Sequence, residues 1–319
     1  MESPNKTTGF VYHKDYLEHD TGHEHVERPD RLRSCLQALK QSDFWDQLHH
    51  IEAKPATLDQ IYYVHDRAHV DRVKLHCQRA IPLDYDTPVS RESFDVALLA
   101  AGGVLRAIDQ IIEGNVDNAF ALIRPPGHHA TPNRAMGFCL FNNVAIAARY
   151  LQSEHGLDRI GIVDWDVHHG NGTQDTFYAD PSVFFFSIHQ HPLYPGSGLA
   201  NETGNKTALG TTLNCPVPAH SDINDYIRVF EEILAPKLVE FNPDFILISS
   251  GFDAHRLDPL STIDITAKGF GDLTDILLSI ADQICGGNVI SVLEGGYDLL
   301  GLSESVVAHV KRLINYEIL

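Results

Sequence analysis

At 319 residues, with 43% hydrophobic and 21% charged side chains, the chain reads as a soluble globular protein of one large α/β domain or two ordinary ones. Its formal net charge of −19 opposes binding to a phosphate backbone, which depends on Lys and Arg replacing counterions, and weakly favours cationic ligands such as amines. No apolar run is long enough to span a membrane, the N-terminus lacks a signal-peptide core, and the five cysteines are odd in number with no CxxC, so a reducing, cytoplasmic location is expected.

In chain order, residues 94–114 place Val96, Leu99, Val104, Ile108 and Ile111 on one stripe and close at Gly114, which predicts a helix. A buried strand follows at AFALI (119–123), then a helix over 142–156 ending at Gly156. IGIV (160–163) and VFFFSI (183–188) read as strands, and 223–241 as a helix kinked or split at Pro236. The strand FILIS (245–249), the helix 270–284, the strand VISVL (289–293) and the helix 303–314 complete the series. Strands this continuously apolar suit a parallel sheet covered on both faces, and the alternation predicts one doubly wound α/β domain over residues 1–319.

Four of these strands run straight into chemistry. RPPGHHA follows 119–123, DWDVHHGNG follows 160–163, SGFDAH follows 245–249 and EGGYD follows 289–293. Ligands of open parallel sheets bind outside the carboxyl ends of the strands, so these segments converge on one edge. If the chain stays extended past Val163, Asp164, Asp166 and His168 share a face. Two carboxylates so close repel one another in a partly buried pocket, and a cation resolves the conflict. With Asp253 they make an O,O,N ligand set with an open position, the catalytic form of zinc, although iron(II), cobalt or manganese accept the same ligand types. Helix capping or pairing with arginines is the alternative for this run.

Together, RPPGHHA, GFCLFNN, DWDVHHG, GFDAH with DPL, and LEGGYD resemble the zinc-dependent histone deacetylase and acetylpolyamine amidohydrolase superfamily, most of all its class II and bacterial members. The resemblance spans roughly residues 10 to 315 and implies the arginase–deacetylase fold, a single domain around an eight-stranded, mainly parallel sheet. It makes Asp166, His168 and Asp253 the zinc ligands, His128 and His129 the tandem histidines, and Tyr297 the transition-state tyrosine. It also makes Asp164 the carboxylate that orients His128 and Asn171 the amide behind His129. Phe138 and Tyr194 match the aromatic tunnel walls, Gly137 a backbone acceptor for the substrate amide, and Asp86 a rim aspartate. Structural potassium is implied at Asp164, Asp166, His168, Ser187 and Ile188, with a weaker site at Phe177, Asp180 and Val183.

The roles follow from ordinary chemistry. Zinc activates water and polarises a carbonyl. His129 can take a proton and return it to the departing amine, while His128, held by Asp164, stays charged. Tyr297 can donate to the oxyanion. For His13, His19, His23 and His25, solvated loop histidines outweigh a second metal site. His65 and His69 read as packing or capping on one helical face, Cys139 as a small buried filler, and His189, His191 and His255 as near the mouth with no derivable role.

Three classes compete: a zinc amidohydrolase, a binuclear-metal ureohydrolase and a non-catalytic acyl-lysine binder. The full set of histidines and the tyrosine disfavours the last, and the single Asp253 in SGFDAH disfavours the second. Eukaryotic-type polyamine deacetylases carry a P-x-C-E element and a glutamate after the DP. Here TGHEHVERPDRL and Leu260 stand in their places, so acetyl-lysine-type amides are expected, with acetylpolyamines as the close alternative. The expected partner is a small acetylated amine or an acetyl-lysine peptide, not nucleic acid or a membrane.

Overall fold

Strands form where β-branched and aromatic residues run uninterrupted, and the computed structural model, which describes residues 6–314, gathers eight of them into one sheet. They are β1 (Thr8–Val11), β2 (His49–Ile51), β3 (Asn118–Ala121), β4 (Ile160–Asp164), β5 (Val183–Gln190), β6 (Thr212–Val217), β7 (Phe245–Ser250) and β8 (Val289–Leu293). Their order is β2-β1-β3-β8-β7-β4-β5-β6, and every neighbouring pair is parallel.

The helices are α1 (Asp30–Lys40), α2 (Leu58–Ile61), α3 (Arg67–Arg79), α4 (Ser93–Ile112), α5 (Asn143–His155), α6 (Asn171–Phe177), α7 (Ile223–Val229), α8 (Ala235–Phe241), α9 (Ala267–Cys285) and α10 (Leu299–Ile314). α4 and α5 pack together in one group, and α1, α9 and α10 in another. Every residue of β3, β4, β5, β7 and β8 is buried, as sheet strands covered on both faces require. β3 and β4 are consecutive in the chain but separated in the sheet by β8 and β7. The carboxyl ends bearing the four polar segments therefore stand side by side at the point where the winding reverses.

Several expectations need correction. β1, β2 and β6 are additional to the predicted strands: β1 and β2 carry few apolar side chains, and β6 is an edge strand that tolerates Asn214 and Pro216. The 223–241 helix does not break at Pro236 itself. It runs as α7, a π-helical turn over Phe230–Leu234, and α8, because the ring of Pro236 supplies no N–H and crowds the turn before it. α9 begins three residues before 270, where the Thr266 hydroxyl accepts from the Gly269 N–H at 3.3 Å, and α10 begins four residues before 303. The chain also does not stay extended past Val163. β4 ends at Asp164 and bends, so Asp164 parts company with Asp166 and His168.

Candidate active site

The bend after β4 aims two carboxylates in different directions. One oxygen of each ligand-candidate carboxylate is tied to backbone: the Gly295 N–H donates to Asp166 Oδ2 at 2.8 Å, and the Val167 N–H to Asp253 Oδ1 at 2.8 Å. The other oxygens face His168, whose Nδ1 lies 3.1 Å from Asp166 Oδ1 and 3.1 Å from Asp253 Oδ2. One ligand atom from each of these three buried residues lies within 4.8 Å of the others, and among the described residues this is the one group of three His, Cys, Asp or Glu side chains so placed. Gly295 makes the convergence possible, since a Cβ there would overlap Asp253 Oδ2 and Asp166 Oδ2.

The electrostatics fit a cation. Burial and the charge of Asp166 push Asp253 up, while Asp166, also penalised by burial, is held below the usual carboxylate range by His128 and His168. His168, penalised by burial but flanked by Asp166 and Asp253, is pushed up to about 10, so its proton occupies the place a positive ion would take. An N,O,O donor set of this kind suits a divalent metal with an open position.

Asp164 serves His128 instead. The His128 Nδ1–H donates to Asp164 Oδ2 at 2.9 Å. Burial disfavours a charged His128, but Asp164 and Asp166 outweigh it and hold the imidazole well above its usual pKa. His129 has the opposite setting. Burial and the charges of His128 and His168 drive it well below its usual pKa. Its Nδ1–H donates to Asn171 Oδ1 at 2.7 Å, while the Asn171 amide donates to the His129 carbonyl at 3.4 Å, which sets the orientation of that amide. The neutral tautomer so chosen leaves Nε2 with a free lone pair.

A cavity of about 200 Å³ reaches this group, lined by Asp86, His129, Gly137, Phe138, His168, Leu193, Tyr194, Leu260 and Tyr297. Gly137 (φ +55°) and Phe138 (φ +69°) both take the left-handed conformation, and a Cβ on Gly137 would strike the His129 ring. Phe138 stands edge-to-face with Tyr297, centroids 5.8 Å apart, and Tyr194 edge-to-face with His129 at 5.1 Å. Burial and the charge of Asp253 raise the Tyr297 phenol well above its usual pKa, which keeps it a donor. Asp86 faces the same cavity and accepts from the Thr87 hydroxyl at 2.9 Å.

Ser187 pairs in register with Asp164 and its hydroxyl bonds His189 at 2.9 Å; Ile188 follows it on β5. Phe177 ends α6 and Val183 starts β5, whereas the Asp180 side chain accepts from Ser182 and pairs with Arg149 at 2.6 Å. Cys139 is a buried thiol against the Gly137 carbonyl. His65 precedes α3 rather than sharing its face with His69, yet the rings pack 5.0 Å apart. Not all the N-terminal histidines are solvated: His19 is buried against Ser93 at 2.7 Å, and His25 stands edge-on to Phe138 with its Nε2 3.3 Å from the Asp86 carbonyl oxygen. His189 and His255 are buried and do not line the tunnel.

Residues without an assigned role in the sequence hold the site up. Glu27 is fully buried between Arg124, at 2.5 and 2.7 Å, and Arg31, at 3.0 Å. Arg31 also donates to the Glu294 and Gly296 carbonyls at 2.5 and 2.6 Å and lies 5.0 Å over the Tyr297 ring. The signal was an arginine on the buried stripe of α1, in line with Cys35 and Leu39. Removing one member of such a buried ionic group costs about 3–5 kcal/mol. Glu294, pushed up to about 7 mainly by burial, accepts from the Gly127 and His128 N–H groups at 2.6 and 3.2 Å and so pins the histidine turn to β8.

Comparison with known proteins gives one direction. The family model "Histone deacetylase domain" matches residues 25–313. A "Probable deacetylase" of Archaeoglobus fulgidus is 40% identical over 92% of this chain and 82% of its own length. "Histone deacetylase 10, chloroplastic" of Oryza sativa is 40% identical over 88% of this chain and 68% of its own. The crystal structure of the HDA15 HD domain superposes with a TM-score of 0.91 at 39% identity, covering 97% of this chain and 89% of that one. No helix among the described residues is long and apolar enough to cross a membrane.

Proposed function

This chain belongs to the histone deacetylase domain family, and on that premise we propose that it is a zinc-dependent amidohydrolase that removes acetyl groups from primary amines of the acetyl-lysine type. The observation that carries the reading is the approach of Asp166, His168 and Asp253 ligand atoms to within 4.8 Å of one another beside a tunnel lined by His129 and Tyr297. Those three residues would hold the zinc ion, which supplies Lewis acidity and activates a water.

The chain's own residues do the rest. The Gly137 carbonyl accepts the substrate amide N–H, and Phe138 and Tyr194 flank the alkyl arm. His129 Nε2 takes a proton from the attacking water and delivers one to the departing nitrogen, so acetate and free amine leave with no net proton required by the enzyme. Charged His128 steadies the negative charge that develops, with Asp164 keeping it protonated. The Tyr297 hydroxyl donates to the oxyanion, a contact worth about 3–4 kcal/mol. Potassium at the two motif-matched sites, Asp164, Asp166, His168, Ser187 and Ile188, and Phe177, Asp180 and Val183, rests on the resemblance alone.

Leu260 at the tunnel wall, where a carboxylate would greet a second amine, favours acetyl-lysine over acetylpolyamines. A single three-residue ion group among the described residues speaks against a binuclear ureohydrolase, whose metals need more bridging carboxylates. Five unpaired cysteines support a reducing, cytoplasmic compartment. The deciding experiment strips the metal with a chelator, restores about one zinc per chain, and compares kcat/KM for an acetyl-lysine peptide with acetylputrescine, acetylcadaverine and acetylspermidine. Activity that ignores the metal refutes the mechanism, and an about hundredfold preference for any polyamine reverses the substrate order.

A further inference from the structure

The tunnel wall and the turn bearing Tyr297 come from distant parts of the chain, and one buried carboxylate joins them. Asp258 lies in the loop after β7 and is 6% exposed. Its Oδ1 accepts from the Leu260 N–H at 3.0 Å. Its Oδ2 accepts from the Tyr297 N–H at 2.6 Å and from the Asp298 N–H at 3.3 Å. The Asp258 N–H itself donates to the His255 carbonyl at 2.8 Å, which seats the residue.

The segment 294–297 belongs to no helix or strand, and it turns at Gly296, whose φ is +119°. Arg31 holds its carbonyls at Glu294 and Gly296; Asp258 holds the amides of Tyr297 and Asp298. The Gly295 N–H and carbonyl are also held, by Asp166 Oδ2 at 2.8 Å and by the Phe252 N–H at 3.1 Å, so loss of Asp258 frees the stretch beyond the Gly296 hinge, at Tyr297 and Asp298. Leu260 and Tyr297 both line the tunnel, so the oxygens of a single carboxylate tie a wall residue that meets the substrate arm to the residue that meets the reacting carbonyl.

We infer that Asp258 is a positioning residue: through the Tyr297 and Leu260 backbone amides it fixes the Tyr297 hydroxyl relative to the tunnel wall, so that a seated substrate arm and a correctly aimed hydroxyl occur together. This rests on the reading that Tyr297 donates to the oxyanion. The effect is on kcat rather than on binding, because a displacement of about 1 Å at a reacting group costs on the order of a hundredfold in rate while leaving the apolar tunnel contacts in place.

The test is a double-mutant cycle in the zinc-loaded full chain with Asp258→Asn, Tyr297→Phe and the pair. Asparagine keeps the size of the side chain but turns an N–H₂ toward one of the amides. The expected result for Asp258→Asn is kcat lowered about thirtyfold or more, KM within about threefold, and unchanged zinc content. Amide hydrogen exchange over residues 294–298 speeds up, and Asp258→Asn causes no further loss once Tyr297 is already Phe. If the Asn chain does not fold, Asp258→Glu, which keeps the charge and shifts both oxygens, reads the same cycle. Losses that multiply in the pair, or unchanged exchange at 294–298, overturn the proposal while leaving the Tyr297 role standing. Tyr297→Phe with activity within about twofold of wild type removes the Tyr297 role itself and the proposal with it.

Discussion

His128 and His129 are neighbours on one turn with ring centroids 4.1 Å apart, yet their surroundings divide them. Both are buried, so burial alone would leave both neutral. His128 has a carboxylate, Asp164, at its Nδ1 and keeps its proton; His129 has an amide, Asn171, in the same relation and gives it up. A carboxylate behind His128 offsets its burial, whereas the neutral amide behind His129 cannot offset burial and the charges of His128 and His168. Acid–base division of labour here is set by the groups behind the rings together with the charges beside them.

The largest break in that comparison comes from His129→Ala, which removes the group poised to move the proton. Turnover on an acetylated substrate is expected to fall by about 10²–10⁴ with zinc content unchanged, and a loss below about tenfold would reassign the base. Next is Asp164→Asn, which makes the partner of His128 an amide like that of its neighbour. Burial then wins, His128 loses its charge as pH rises through a lowered pKa, and kcat drops about ten- to a hundredfold with a new loss on the alkaline side. A kcat–pH profile that keeps its wild-type shape would show that the His128 charge is not needed.

The converse change, Asn171→Asp, is smaller. A carboxylate at His129 Nδ1 favours the imidazolium, so the acid limb of kcat/KM, where the base becomes protonated, moves to higher pH by about one unit. An unmoved limb would mean that His129 does not set it.

The least effect concerns stability. His309 is a fully buried histidine with hydroxyl partners, Thr274 at 2.7 Å and Ser291 at 2.8 Å, and burial holds it down to about 3. It stays neutral in the fold but protonates in the unfolded chain below about pH 6.5, so it costs stability as pH falls from there toward about 3. His309→Gln should therefore lose about 1 kcal/mol less than wild type between pH 6.5 and 5.5 in denaturant titrations. Equal slopes would show that His309 does not titrate on unfolding.

The five apolar strands were legible because each sits in a continuous apolar run buried on both faces, and the four polar segments were legible because each follows such a run. β1 and β2 were not, since TGFV opens on two small residues and HHI offers a single buried apolar side chain, too little to stand out from loop. The site was legible at Asp166, His168 and Asp253 as residue types at strand ends. Glu294 and Asp258 sat inside the quoted LEGGYD and DPL segments without a role, because what they do is accept hydrogen bonds from backbone amides far away in the chain.

By itself, the order of residues determined that an α/β chain would carry histidines, aspartates and a tyrosine to one edge of a parallel sheet. That much follows from local pattern, because side-chain alternation and apolar run length act over a few neighbours. The resemblance implied that Asp164 orients His128 and that Asn171 stands behind His129; only the tertiary structure decided that Arg31 and Asp258 would hold the turn beneath Tyr297 and that Glu294 would pin the histidine turn. Those contacts join residues distant in sequence, and directional hydrogen bonds formed in a water-poor interior leave no trace in local periodicity.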